Sequence, residues 1–574
     1  MRHRSPLLAA ATVAIALVVT GCTSVNAQNG QSAPTGSKDP YAAHIVQPGF
    51  DEAGGNVNVL MSSDFMTLDP GNSNYVQTAN VGQLYYRTLT MAKETAGEPP
   101  TIVADLATDT GTASEDGLTW TYTLKDGLKY EDGTPITAAD VKYGIARTFA
   151  RDVFTQAPQE LNSALDADDY KGPYSGGGDL TAVETPDDKT VVFHLKQPNP
   201  DFAALVSRSN TAPVPQAKDT KLDYTNHPIS SGPYMIESYD RGRELKLVRN
   251  PSWDAATDEN RTALPDTFTF SLSTAQATIS QQLISDADPT AITLDSNGAL
   301  QASDTSRLIE ASVADRTASG LLGCTDVLNF NTETITDPDV RHALALAMDR
   351  AAIQVQYGGA RFGKLTNSYL NDAQVGYVAE TTDLDIDGAP QLDAAKKLLE
   401  GKDVPASLTY GYSNAIDRYK NLGTVLQQNF AELGIDLQLV PIPAANYYTV
   451  LASDEMPDIA RAGWCGGAAS GSTRTTVDPN IGPSLDGTTY GFSNISRFYD
   501  DALSGEMYEL RNTNGTSEEL NTQWAELYNQ AMESYPLVPL IRTFTNSVVG
   551  SKIHNAQVGY FFGSIDLSTI GVEQ

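Results

Sequence analysis

The chain has 574 residues, 40% of them hydrophobic and 19% charged, with a formal net charge of −33 at pH 7. That length allows two or more hydrophobic cores. The acidic balance argues against nucleic acid as a partner and against adsorption on an anionic membrane through basic residues, but a solvated acidic surface carries the same charge, so it does not select a ligand.

At the N-terminus, Arg2, His3 and Arg4 precede an almost unbroken apolar run from Leu7 to Val19, which ends at Thr20, Gly21 and Cys22. This is the layout of a secretory signal peptide over residues 1–21, and the run is too short for a permanent membrane-spanning helix. Val19-Thr20-Gly21-Cys22 resembles a bacterial lipobox. Cys22 would then be the first mature residue and carry the lipid that anchors the chain outside the cell membrane; the alternative is an unlipidated signal peptide with an incidental cysteine. Thr23 to Pro40 is rich in Ser, Gly, Asn, Gln and Pro and cannot bury enough surface to fold, so 22–53 is assigned to a flexible tether. Beyond Cys22, only Cys324 and Cys465 remain, in a compartment that permits a disulfide.

From Gly54 the pattern becomes globular. Asn56 to Leu60 alternates as a strand, and Val76 to Leu89 has helical apolar spacing. Leu118 to Leu128 alternates through Trp120, Tyr122 and Leu124, with turns at Asp126-Gly127 and Asp132-Gly133. Thr137 with Asp140 three residues on predicts a capped helix start. Asp166 to Asp179 reads as loop, and strands resume at Thr190 to Leu195 and Glu244 to Arg249. Helices are predicted over Val340 to Ile353, Leu392 to Leu399 and Tyr419 to Leu433, the last followed by a strand from Ile435 to Leu439. Strands and helices alternate over most of the chain, which implies α/β architecture.

Several blocks are more specific. The first runs from Ser114 through Trp120, Lys125-Asp126-Gly127 and Asp132-Gly133-Thr134-Pro135 to Arg147. Others are Ser231-Gly232-Pro233-Tyr234, Arg249-Asn250-Pro251, Asn329-Phe330-Asn331-Thr332, Ala347-Met348-Asp349-Arg350 and Pro536 to Leu540. In this order they resemble the peptide/nickel family (family 5) of solute-binding proteins that serve ABC importers. The resemblance implies two lobes joined by hinge strands that close on a ligand, with a subdomain inserted in lobe one. Its boundaries would be lobe one at 54–90, 228–322 and 535–574, the inserted subdomain at 91–227, and lobe two at 323–534. It further implies a monomeric receptor that needs no cofactor and passes a small molecule, foremost a peptide, to permease subunits.

The candidate ligand segment is Asp458 to Gly467, which looks like the Ala-Arg-Ala-Gly-Trp-Cys stretch of oligopeptide-binding members. By that likeness Arg461, Gly463, Trp464, Cys465, Gly466 and Gly467 line the cleft. Glycine lets backbone approach a ligand, tryptophan supplies an apolar wall, and the guanidinium fork suits a peptide carboxylate; for Arg461 a buried structural ion pair is the competing reading. Peptide binders of this type carry an aspartate for the ligand's ammonium where this chain has Gly467, so either another acid substitutes or the ligand lacks a free amino terminus. The same likeness pairs Cys465 with Cys324 in a disulfide. Ser62, Ser63 and Asp64 after the first strand, and Asn367 in the Thr366-Asn367-Ser368 loop, are further candidates by position.

Asp383 to Gly388 opens like an EF-hand calcium loop, but Ala394 stands where the bidentate glutamate belongs, so an acidic linker is the reading adopted. Trp120 reads as a packed aromatic, and Asp339, Arg341, Asp349 and Arg350 as surface or hinge charges. The six histidines are scattered and no GxSxG, HExxH or P-loop pattern occurs, so an enzyme or a polyhistidine metal site is not expected. A receptor for a metal complex, heme, sugar or signalling compound, or a non-transport signalling lipoprotein, remains the alternative.

Overall fold

The computed structural model describes residues 41–574 apart from 74, 177, 302, 387–388, 466–470 and 492. Cys22, the signal peptide and the tether to residue 40 lie outside the described residues, as do Gly466, Gly467 and the end of the calcium-like loop. Residues 41–53, assigned from sequence to the tether, are fastened to the body. His44 and Val46 bridge to Ser319 and Ala556, and the Val46 side chain is fully buried.

Strand β1 (Asn56–Leu60) buries Val57 and Val59 and turns Asn56 and Asn58 toward the other face, as its alternation predicts. The helix Val76–Tyr85 follows. Next, β2 (Thr90–Thr95) and β3 (Glu98–Ala104) pair as a hairpin. A four-stranded sheet has the order β4-β5-β7-β6, from β4 (Thr112–Ala113), β5 (Thr119–Thr123), β6 (Val183–Glu184) and β7 (Thr190–His194). Its core gathers Tyr122, Phe193 and Phe202, with Trp120 packed against it. The helix Ala138–Arg147 begins at the expected capping box, with Asp140 accepting from the Thr137 amide at 2.9 Å.

A five-stranded sheet, β11-β1-β10-β9-β8, adds β8 (Tyr234–Asp240), β9 (Glu244–Arg249), β10 (Thr267–Ser271) and β11 (Ala291–Thr293) to β1. The six-stranded sheet has the order β13-β17-β12-β16-β14-β15. Its members are β12 (Thr317–Phe330), β13 (Gly363–Leu365), β14 (Ser407–Ser413), β15 (Asp436–Ile442), β16 (Ile459–Trp464) and β17 (Leu537–Val548). Strands β12 and β17 pair antiparallel from Thr317↔Val548 to Asn329↔Leu537. One end of the pair enters the core of the five-stranded sheet through Ala318 and Val549. The other end enters a second core through Leu328, Phe330, Val538 and Leu540. These two strands therefore connect the cores.

Two expectations change. The helix predicted over Val340–Ile353 is two helices, Pro338–Leu346 and Arg350–Gln356, because the Asp349 carboxylate accepts from the Ala352 amide and caps the second. Arg341 and Arg350 are buried rather than exposed. Arg341 donates to the carbonyls of Ile335 and Ser534, which lie outside the strands, and Arg350 donates to that of Pro539 and ties its helix to β17.

The hairpin β2-β3 is locked to the five-stranded sheet by a buried charge network. Arg87 Nε meets Asp105 Oδ1 at 2.7 Å, Arg261 Nη2 meets Asp105 Oδ2 at 2.8 Å, and Arg261 Nη1 meets Asp258 Oδ2 at 3.1 Å. Burial alone would raise the Asp105 pKa, but Arg261 and Arg87 hold it well below the usual carboxylate range. Removing one partner leaves a buried charge unmatched. Asp105→Asn should cost about 3–5 kcal/mol, read as a lowered urea midpoint with an unchanged slope.

Candidate functional site

The pleat of the six-stranded sheet sorts its side chains into two environments. Trp464 on β16, Thr325 on β12 and Arg542 on β17 are register partners in one row. In the next row, Gly463, Asp326 and Ile541 are partners and face the opposite side. The first row faces a small polar cavity of about 10 Å³, which Tyr369, Asn371 and Tyr560 also line; that is room for about one water-sized atom. Trp464 Nε1 donates to the Thr475 carbonyl at 2.9 Å, and Arg542 Nη1 donates to Asn371 Oδ1 at 3.1 Å. Asn371 Nδ2 donates to the Tyr560 hydroxyl. The Gly323 amide donates to the Tyr560 carbonyl at 3.1 Å. Contributions from residues near both cores thus converge at this point.

A second cavity, of about 160 Å³, is walled by Val76, Tyr86, Met91, Pro158, Phe561 and Phe562, with Arg208 and Arg261 among its polar lining. The segment from Tyr560 to Phe562 serves both cavities. Buried Glu94 on β2 fixes it by accepting from the amides of Tyr560 at 2.8 Å and Phe561 at 3.1 Å. Burial pushes the Glu94 pKa up to about 8, with a further rise from Asp566, and outweighs the backbone donors of Phe561, Tyr560 and Phe562. An apolar cavity beside a small set of converging polar groups is the usual form of a small-molecule site.

The model of the bacterial extracellular solute-binding proteins, family 5, matches residues 101–477, more than half of the chain. The chain belongs to this family. It is 27% identical over 223 residues to the glutathione-binding protein GsiB of Salmonella typhi, covering 36% of this chain and 40% of that protein. It is 29% identical over 199 residues to the probable D,D-dipeptide-binding periplasmic protein DdpA of Escherichia coli (strain K12), covering 33% and 35%. The matches therefore span well under half of these relatives. Whole-chain likeness comes from solved structures. Clavulanic acid biosynthesis oligopeptide binding protein 2 superposes with a TM-score of 0.82 at 26% identity, covering 93% of this chain and 98% of that one. The unliganded open form of the murein tripeptide-binding protein MppA gives 0.73 at 20% identity, covering 92% and 98%. The architecture is thus that of the two-lobed periplasmic binding proteins, and the matches are to binding proteins.

Within this family member the sequence-predicted site residues do not all meet. Trp464 lines the polar cavity. Arg461, three residues earlier on the same strand, lies on the other face with Gly463. Its Nε meets Asp326 Oδ2 at 3.1 Å, and its guanidinium sits 4.4 Å from the centre of the Tyr419 ring. Burial would lower the Arg461 pKa, but Asp326 reverses this and raises it well above the ordinary value. A Cβ on Gly463 would stand 2.6 Å from Asp326 Oδ1 and 3.0 Å from Arg461 Nη2, so glycine here leaves room for the ion pair. Cys465 is bonded to Cys324, closing a separation of 141 residues; a loop of that length corresponds to roughly 5 kcal/mol in the chain-entropy picture.

Among the remaining candidates, the Ser62 amide donates to Asp295, and the Asp64 carboxylate accepts from Tyr239 Oη and the Gly242 amide, steadying the β8-β9 turn. Ser63 is exposed beside them. Asn367 donates to the Leu384 carbonyl, and none of these four lines either cavity described above. Asp383 accepts from His342 and Tyr535. Among the described residues no group of three or more His, Cys, Asp or Glu is placed to hold a metal ion. Sequence reasoning missed Arg542, Asn371, Tyr560 and the Phe561-Phe562 wall.

Gly463→Ala should destabilise the protein by about 1–3 kcal/mol, because the added methyl group displaces the Asp326 carboxylate; thermal unfolding measures it, and an unchanged midpoint would refute the steric role. Glu94 gives a pH signature. Its folded pKa lies above its unfolded value near 4.5, so its stabilising contribution is complete below about pH 4.5 and is lost progressively up to about pH 8. Across this window wild-type stability should fall by roughly 3–5 kcal/mol more than that of Glu94→Gln, with the slope against pH rather than the absolute stability as the readout.

Proposed function

We propose that this chain is a lipid-anchored extracytoplasmic receptor of an ABC importer. It captures a peptide or peptide-like solute by closure of its two lobes and delivers it to the permease. The observation that supports this reading is the strand pair β12/β17 between the two cores, with Trp464 and Arg542 in one row at a polar cavity also walled by Tyr560. Membership of the solute-binding family supports the transport role, and relatives named for glutathione, dipeptides and oligopeptides support a peptide-like solute. Anchoring rests on the run ending at Gly21-Cys22. A binding role without turnover fits the scattered histidines and the lack of catalytic motifs.

A non-peptide or blocked ligand is the second reading, favoured by Gly467 where peptide binders carry an acid. Native mass spectrometry of the full chain, extracted from its own membranes, should show a co-purified small molecule in one-to-one ratio that returns unchanged after denaturation. A ligand-free spectrum combined with no saturable tryptophan fluorescence change on adding mixed short peptides would refute the receptor role. Cys22→Ala should shift the protein from the membrane to the soluble fraction.

A further inference from the structure

This inference rests on reading the cavities as the ligand site, and it concerns the charge pattern of the ligand. We propose that Arg542 on β17 reads a carboxylate of the ligand, and that the ligand has no free ammonium group. An N-acylated amino acid or short peptide is the class that fits.

Arg461 is withdrawn from this role by Asp326 on the opposite sheet face. Arg542 occupies the face that Trp464 shares and is 7% exposed. A guanidinium has five N–H donors. Two bonds are made, to Asn371 Oδ1 and the Leu370 carbonyl, and Nε has no partner among the described residues. The carboxylate that Arg542 meets is Asp372 at 3.6 Å, whose side chain is 76% exposed and so screened by solvent. Arg87, Arg147 and Arg261 instead meet carboxylates that are themselves buried. A nearly buried cation at a cavity, with a donor to spare and a screened counter-ion, is suited to an anionic oxygen. The cavity beside it has room for about one oxygen-sized atom.

The lining is equally informative about what it rejects. Arg208, Arg261 and Arg542 are its charged members, and no carboxylate is among the described residues that line either cavity. Glu94 lies behind the wall with its oxygens on the Tyr560 and Phe561 amides. An ammonium group enclosed here would face cations and lack a counter-charge, a costly arrangement. An acyl group, in contrast, suits the cavity of about 160 Å³ walled by Val76, Tyr86, Met91 and Phe562.

The test uses four probes on the full chain by isothermal titration calorimetry: leucyl-phenylalanine, its N-acetyl derivative, its C-terminal amide and the doubly blocked form. On the wild-type protein, N-acetylation should tighten binding at least ~10-fold and C-amidation should weaken it by ~10–100-fold, the range of a charge-assisted hydrogen bond. The amidation penalty should vanish in Arg542→Gln and persist in part in Arg542→Lys, with thermal melts checking that each variant is folded. A free amine that binds as tightly as its acetylated form overturns the proposal, without need of any variant. So does a full amidation penalty in Arg542→Gln, or no binding of N-acetyl-leucyl-phenylalanine. A co-purified peptide with a free amino terminus would leave the receptor role standing and remove this inference alone.

Discussion

The antiparallel pairing of β12 with β17 is the constraint on which the molecule depends. Two strands of this length must alternate their side chains with period two, yet they pass from one core to another with different packing demands. The mismatch is absorbed between Leu321 and Thr325, where three residues of β12 oppose Thr543 alone on β17, a bulge that resets the register. Cys324 lies in that bulge and is tied to Cys465 just beyond β16. Downstream of it the register delivers Thr325, Trp464 and Arg542 to one face and Asp326, Gly463 and Arg461 to the other.

That separation puts an ion-paired arginine on one face and an arginine with an unpartnered Nε on the other. On the enclosed face, Arg461 is satisfied by Asp326 and by the Tyr419 ring, and the absent side chain of Gly463 makes space for them. On the cavity face, Arg542 has a backbone carbonyl, an amide oxygen and an exposed acid. A buried ion pair contributes little net stability against a well-packed apolar alternative, but breaking it is expensive. The Arg461–Asp326 pair therefore acts as a fixed point of the sheet, and it holds β16 against β12 beside the row that carries Trp464.

What could be read from sequence follows the range of the interactions. The alternation in Asn56–Leu60 and the capping pair Thr137/Asp140 are local, and both form as expected. The break at Asp349 was masked by a continuous helical pattern, since an N-cap inside such a pattern looks like one more polar surface residue. Arg461 and Trp464, both assigned to the cleft, stand three apart on one strand and so face opposite sides of the sheet. The partner Asp326 lies 135 residues away, and no spacing in the chain announces it. The same holds for the Phe561-Phe562 wall, which is assembled with the helix Val76–Tyr85 and the loop at 207–209 only by the fold.

Glu94 links these levels. A carboxyl group placed on a short hairpin, buried and pushed up to about 8, is a poor choice for stability alone, since an uncharged side chain would avoid the desolvation. Its two acceptors nevertheless hold successive amides of a segment that has no strand partner at that point. Tyr560 is thereby aimed at the polar cavity while Phe561 and Phe562 are aimed at the apolar one. The hairpin carrying Glu94 is itself locked by Asp105 between Arg87 and Arg261, and Arg261 also lines the apolar cavity. The wall of the apolar cavity is therefore set by groups that sit behind it, Glu94 on the amides and Asp105 between its arginines.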